Sequence, residues 1–165
     1  MSAKERDTLA AELAREVGLD LELPAVPGGA YAPFFRDGNI LYLSGQVPKV
    51  GNEVVFTGPV GSAISIDQSK EAARVCALRL LGVLKQACGT LERVESVARL
   101  NVFVQSTPGF DKHSEVADSA SKVLKDILQC EVMPARTAVG VLSLPRNASV
   151  EIDLVAIVRQ GGPAR

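Results

Sequence analysis

The chain has 165 residues, of which 47% are apolar, and a formal charge of −1 with no block of like charge. That length suits one domain with its own core. The charge balance disfavours a dedicated nucleic-acid binder, which normally carries a clustered basic face. No apolar run reaches membrane-spanning length and the N-terminus lacks a signal-peptide core, so a soluble cytoplasmic protein is the expectation.

In chain order, residues 3–17 carry Leu9, Leu13 and Val17 at four-residue intervals and are predicted as an amphipathic helix. Ser2 and Glu5 fit a capping box, and Gly18 fits its stop. Pro24, Pro27, Gly28 and Gly29 then mark an irregular connection, which makes the helix an appendage docked on a compact body. Residues 31–35 and 40–43 read as short strands joined by the hairpin turn Asp37-Gly38-Asn39, and 54–56 as a third strand. Asp67 is the expected N-cap of a long helix running to about residue 87, with Ala73, Cys76, Leu80, Val83, Leu84 and Ala87 inward and Gly89 as its stop. Residues 94–105 are predicted as a long central strand, and 112–128 as a second helix burying Val116, Ala120, Val123, Leu124, Ile127 and Leu128. Two final strands, 136–142 and 149–158, flank the turn-forming Leu144-Pro145-Arg146-Asn147.

This order predicts an α+β fold, an antiparallel or mixed sheet with both long helices on one face. In the last strand Val150, Ile152, Leu154 and Val158 share one parity, while Val155 and Ile157 follow Glu151 and Asp153 on the other. Helices can cover only one of these faces, so other copies of the chain are expected to bury the second.

Cys76, Cys88 and Cys130 have no metal-ligand spacing, and an odd count in a chain expected to stay unexported argues against a disulfide framework; Cys76 and Cys88 are expected in the core. The single histidine, His113, falls in a first helical turn beside Asp111 and Ser114 and is expected to be solvated. Chemistry points instead to Arg136, at the head of one strand, and Glu151, near the start of the next. An arginine fork grips a carboxylate with two parallel hydrogen bonds, and a glutamate of raised pKa moves protons near neutrality. The plainer alternative is a pair of solvated surface charges.

The segments Gly29-Ala30-Tyr31, Gly38-Asn39, Leu43-Ser44-Gly45-Gln46, Pro134-Ala135-Arg136 and Leu144-Pro145 through Val150-Glu151-Ile152 resemble, in order and spacing, the Rid family of YjgF-like reactive-intermediate deaminases, also labelled "endoribonuclease L-PSP". The resemblance covers residues 27–158 of a single domain spanning 1–165, with 1–22 as an N-terminal helical extension typical of a longer side branch. It implies a chorismate-mutase-like homotrimer around a central β-barrel, with ligand clefts between subunits. It implies hydrolysis of small 2-imino or enamino acids to 2-keto acids and ammonia, without metal or cofactor. By the same resemblance Arg136 holds the substrate carboxylate, Glu151 handles the proton or water, Tyr31 and Ser44 line the cleft, and Gly45 lets backbone approach the ligand. Asp118 and Ala138 stand where the family usually has asparagine and cysteine. Those departures keep a non-catalytic small-carboxylate-binding protein in view. The endoribonuclease or translation-inhibitor label finds no basic stripe and no aromatic platform to support it.

Overall fold

The computed structural model describes residues 3–159, so Ser2 of the expected capping box lies outside the described residues. The first helix, α1 (Ala3–Glu16), lies against the body through Ala10 and Ala14, which are fully buried; Leu9 and Leu13 only flank the contact. Small side chains let the helix approach closely, so the seam is one position away from the leucine stripe. Arg6 Nη1 donates to the carbonyls of Leu91 (3.3 Å) and Val94 (3.0 Å), and Asp7 accepts from the Leu91 N–H at 2.9 Å.

Strand β1 (Phe34–Asp37) starts three residues later than predicted. The Tyr31 N–H is spent on the Gly29 carbonyl (2.9 Å) and Pro33 has no N–H to give, so Tyr31 belongs to a turn outside the sheet. Strand β2 (Ile40–Gln46) follows the predicted hairpin. The expected third strand at 54–56 is not in the sheet. Instead β3 (Lys49–Val50) and β4 (Glu53–Val54) form a small separate hairpin, and Phe56 adopts a positive φ of 57° that ends it.

The long helix α2 (Ile66–Cys88) is capped by Ser65, not Asp67. Ser65 Oγ accepts from the Gln68 N–H at 3.2 Å, and Gln68 Oε1 accepts from the Ser65 N–H at 3.0 Å. Asp67 sits in the first turn, where its charge suits the helix dipole. Gly89, at φ 80°, closes the helix in the left-handed conformation. Strand β5 (Val94–Gln105), helix α3 (His113–Leu128), strand β6 (Ala135–Val141) and strand β7 (Val150–Val158) complete the main body.

The five-stranded sheet runs β1-β2-β7-β5-β6. Only β5 and β6 are parallel, and α3 supplies the crossover that a parallel pair requires. One face carries Leu41, Leu43, Leu100, Val102, Val104, Ile152, Leu154 and Ala156, all buried beneath α2 and α3. The other face carries Phe35, Tyr42 and Val139, exposed by 66%, 46% and 40%, with half-buried Val155 and Ile157 between them.

Candidate functional site

The predicted site residues fall into two clusters. The first is built on an irregularity in β2. Leu43 pairs with Leu154 and Gln46 with Ile152, so Ser44 and Gly45 together oppose Asp153 and form a bulge. Ser44 Oγ donates to the Ala32 carbonyl (2.7 Å) and its N–H to the Pro33 carbonyl (3.0 Å), which pins the segment after Tyr31 against β2. Tyr31 is half exposed, and its phenol oxygen accepts from the Gly28 N–H at 3.2 Å.

Gly45 leaves the space that Glu151 fills. A Cβ at position 45 would lie 2.2 Å from Glu151 Oε1, so the carboxylate packs directly on the bare backbone. Burial pushes the Glu151 carboxyl above the ordinary glutamate range, and the neighbouring Asp153 carboxylate adds to the shift. Asp153 is itself held by Asn101 Nδ2 at 2.8 Å.

The second cluster lies between α3 and the edge strand β6. Arg136 Nη1 donates to Asp118 Oδ1 at 2.7 Å and to Ser121 Oγ at 2.9 Å. The Arg136 side chain is 24% exposed and that of Asp118 68%. Ala138 follows Arg136 on the same side of β6. Next comes Gly140, where a Cβ would meet His113 Nε2 at 2.6 Å and Ser106 Oγ at 2.9 Å. His113 is therefore not the solvated helix-end residue expected. It is half buried, 3.2 Å from Ser106 Oγ, with its ring edge-on to Phe110.

The two clusters do not meet within one chain. Strand β5 separates β6 from β7, so strands consecutive in the chain are not neighbours in the sheet. Arg136 pairs with Leu100, on the helix-covered face, whereas Glu151 pairs with Phe103, on the open one. Leu100 and Phe103 are three residues apart, which adds roughly 10 Å along the strand. Arg136, Asp118 and Ala138 thus form one half of the predicted set, and Glu151, Gly45, Ser44 and Tyr31 the other.

Sequence reasoning missed several participants. Ser121 lies one turn beyond Asp118, the spacing that puts both on one side of α3. Arg79 sits three residues after Cys76 and four before Val83, a cation set into the apolar stripe of α2. Its Nη2 donates to Gln46 Oε1 at 2.9 Å, and Gln46 Nε2 donates to the Ser44 carbonyl at 3.2 Å, reaching the bulge beside Glu151. Among the described residues, no three His, Cys, Asp or Glu side chains are grouped to hold a metal ion, and no helix is long and apolar enough to cross a membrane.

The chain is 39% identical to "Protein TCP17" of Trypanosoma cruzi, covering 93% of this chain and 96% of that one. It is 29% identical to a "2-iminobutanoate/2-iminopropanoate deaminase" of Dermatophagoides farinae over 80% of this chain and 88% of the relative. Among solved structures, Atu1372 of Agrobacterium tumefaciens, described as of unknown function, superposes with a TM-score of 0.82 at 35% identity, covering 94% and 96% of the two chains. Escherichia coli TdcF, solved with bound serine, shares the fold at a TM-score of 0.57 and 19% identity over 86% and 97% of the two chains. The family model described as "YjgF/chorismate_mutase-like, putative endoribonuclease" matches residues 13–157. The chain belongs to the YjgF, or Rid, family.

Proposed function

We propose that the protein hydrolyses small 2-imino or enamino acids to 2-keto acids and ammonia, in clefts formed between copies of the chain. The observation that carries this reading is the split of the site. An arginine cluster on one face and a proton-binding glutamate on the other complete each other only across a boundary between subunits. The open face of the sheet sets exposed Phe35, Tyr42 and Val139 around a polar centre of Arg99, Asn101, Thr137 and Asp153. These exposed apolar side chains support an assembly that covers them, and a homotrimer closed around a central barrel fits that need. On this reading residues 1–165 are one Rid-like domain, with 27–158 as its core and the N-terminal helix as an extension, working in the cytoplasm.

In the reaction, Arg136 of one subunit grips the substrate carboxylate through the guanidinium donors not used by Asp118 and Ser121. Glu151 of a neighbour faces the imine carbon and nitrogen, with Ser44 and Gly45 forming the wall and Tyr31 the rim. Protonated Glu151 donates to the imine nitrogen. The resulting carboxylate takes a proton from water as its oxygen adds to carbon. Collapse of the carbinolamine releases ammonia and the keto acid, and one water is consumed. The raised proton affinity of Glu151 supports this double role.

The test generates imino acid in situ with an amino-acid oxidase or a threonine dehydratase and follows keto acid and ammonia. Acceleration by the protein, lost at least 100-fold in Arg136→Ala, is the expected result. Absence of acceleration across several imino acids, or full activity in the variant, contradicts it. A second reading, a carboxylate-binding protein without turnover, is favoured by the Arg136–Asp118 pair, which already neutralises much of the anchor. Saturable thermal stabilisation by pyruvate with no hydrolysis would select it.

A further inference from the structure

A cavity among the described residues is lined by none of the Arg136 cluster. It measures about 540 Å³ and lies between α2, the connection after α1 and the small β3–β4 hairpin. That volume is in the range of small-molecule sites. Its walls are apolar where Leu21, Leu23 and Val26 contribute; the last two are exposed by 68% and 73%. Arg79 and Lys49 supply cations.

The chain treats Arg79 differently from its neighbours on α2. Arg74 is paired by Glu16, and Lys85 by Glu22, both acids from the N-terminal segment. Arg79 lies between them and has no carboxylate within ion-pair distance among the described residues. It donates only to neutral oxygens, Lys49 carbonyl at 3.0 Å and Gln46 Oε1 at 2.9 Å, and its Nε is buried without an acceptor. Two of five guanidinium N–H groups are thus engaged, and removal from water disfavours the cation, which an arriving anion would offset. Asp20 also lines the cavity, but its Oδ1 is held by the Glu22 N–H at 2.9 Å.

We infer that this cleft is a second binding site, for a small organic carboxylate with an apolar body. Its carboxylate lies against Arg79 and Lys49, and its hydrocarbon part against Leu21, Leu23 and Val26. The hydrogen-bond path from Arg79 through Gln46 to Ser44 links an occupant to the bulge that carries Glu151.

Hexanoate is the probe, with inorganic phosphate as the anion lacking an apolar body, titrated into the full chain by calorimetry and thermal denaturation. The expected result is saturable hexanoate binding, retained in Arg136→Ala and weakened at least tenfold in Val26→Glu and Arg79→Leu, with phosphate much weaker. Val26 is exposed, so its variant decides the question should Arg79→Leu fail to fold. No saturable binding, phosphate binding as tightly as hexanoate, or binding that survives Val26→Glu but is lost in Arg136→Ala would each overturn the inference. The last outcome would assign hexanoate to the arginine cluster on β6 and leave the proposed hydrolase intact.

Discussion

Arg136 Nη1 stands 2.7 Å from Asp118 Oδ1, so the anchor for a substrate carboxylate is already partnered by an acid of its own chain. An exposed pair of this kind is worth up to about 1 kcal/mol, or about fivefold in affinity. Asp118→Asn keeps a polar neighbour and removes the competing charge. Pyruvate should bind the variant up to about fivefold more tightly by calorimetry. Weaker binding would mean that Asp118 positions the guanidinium more than it competes for it.

Gly45 matters for space, because the Glu151 carboxylate occupies the volume a methyl group would take. The obstructed atom is the end of a flexible side chain, which can swing aside at small cost in stability. Gly45→Ala should therefore unfold within about 1 kcal/mol of the parent in urea yet lose imine hydrolysis by at least tenfold. Unchanged activity would remove Glu151, as placed here, from the chemistry.

Glu151 also predicts a pH dependence of stability. Its folded pKa is raised, so the folded state binds more protons than the unfolded one above the ordinary glutamate value of about 4.3. Stability at this position therefore falls as pH rises from that value through the raised one, and stays lower beyond it. Glu151→Gln, neutral throughout, should be relatively more stable than the parent above this window, with the difference shrinking towards low pH. Urea midpoints measured for both proteins across the window check this. A difference that grows with acidity would contradict the assigned direction.

Helix α2 carries the centre of the core, and its start rests on the reciprocal pair Ser65–Gln68. Ser65→Ala should cost about 1 kcal/mol, read as a lower urea midpoint with an unchanged slope. Asp67→Ala should cost less, since it loses a dipole interaction and an exposed pair with Lys70 at 3.9 Å, each worth a few tenths of a kcal/mol.

Periodicity found α3 because it buries a regular stripe along most of its length; Val116, Ala120, Leu124 and Ile127 are where spacing put them. Strand β5 was legible from its run of β-branched and apolar residues, although irregularities near Val94 and Val97 interrupt its alternation. The α2 cap was also written in the chain, as Ser65-Ile66-Asp67-Gln68, but Asp67 offers the same chemistry and only geometry chooses between them. Tyr31 and residues 54–56 are apolar and strand-like by composition, yet a proline, a local turn and a positive φ at Phe56 keep them out of the sheet. The pairing of β5 between β6 and β7 was beyond local reading. It depends on long-range contacts, and it decides that Arg136 and Glu151 face opposite ways. Family likeness named both residues, but their separation within one chain came from the strand order.

That separation has a direct test in mixed assemblies. Arg136→Ala and Glu151→Gln chains, each inactive alone, are denatured together in equal amounts, refolded and assayed for imine hydrolysis. Where Arg136 of one subunit meets Glu151 of its neighbour, about a quarter of the sites in random assemblies regain both residues, and about a quarter of parent activity should return. No recovery from well-folded mixed assemblies would place both residues in one chain's site, or neither in any.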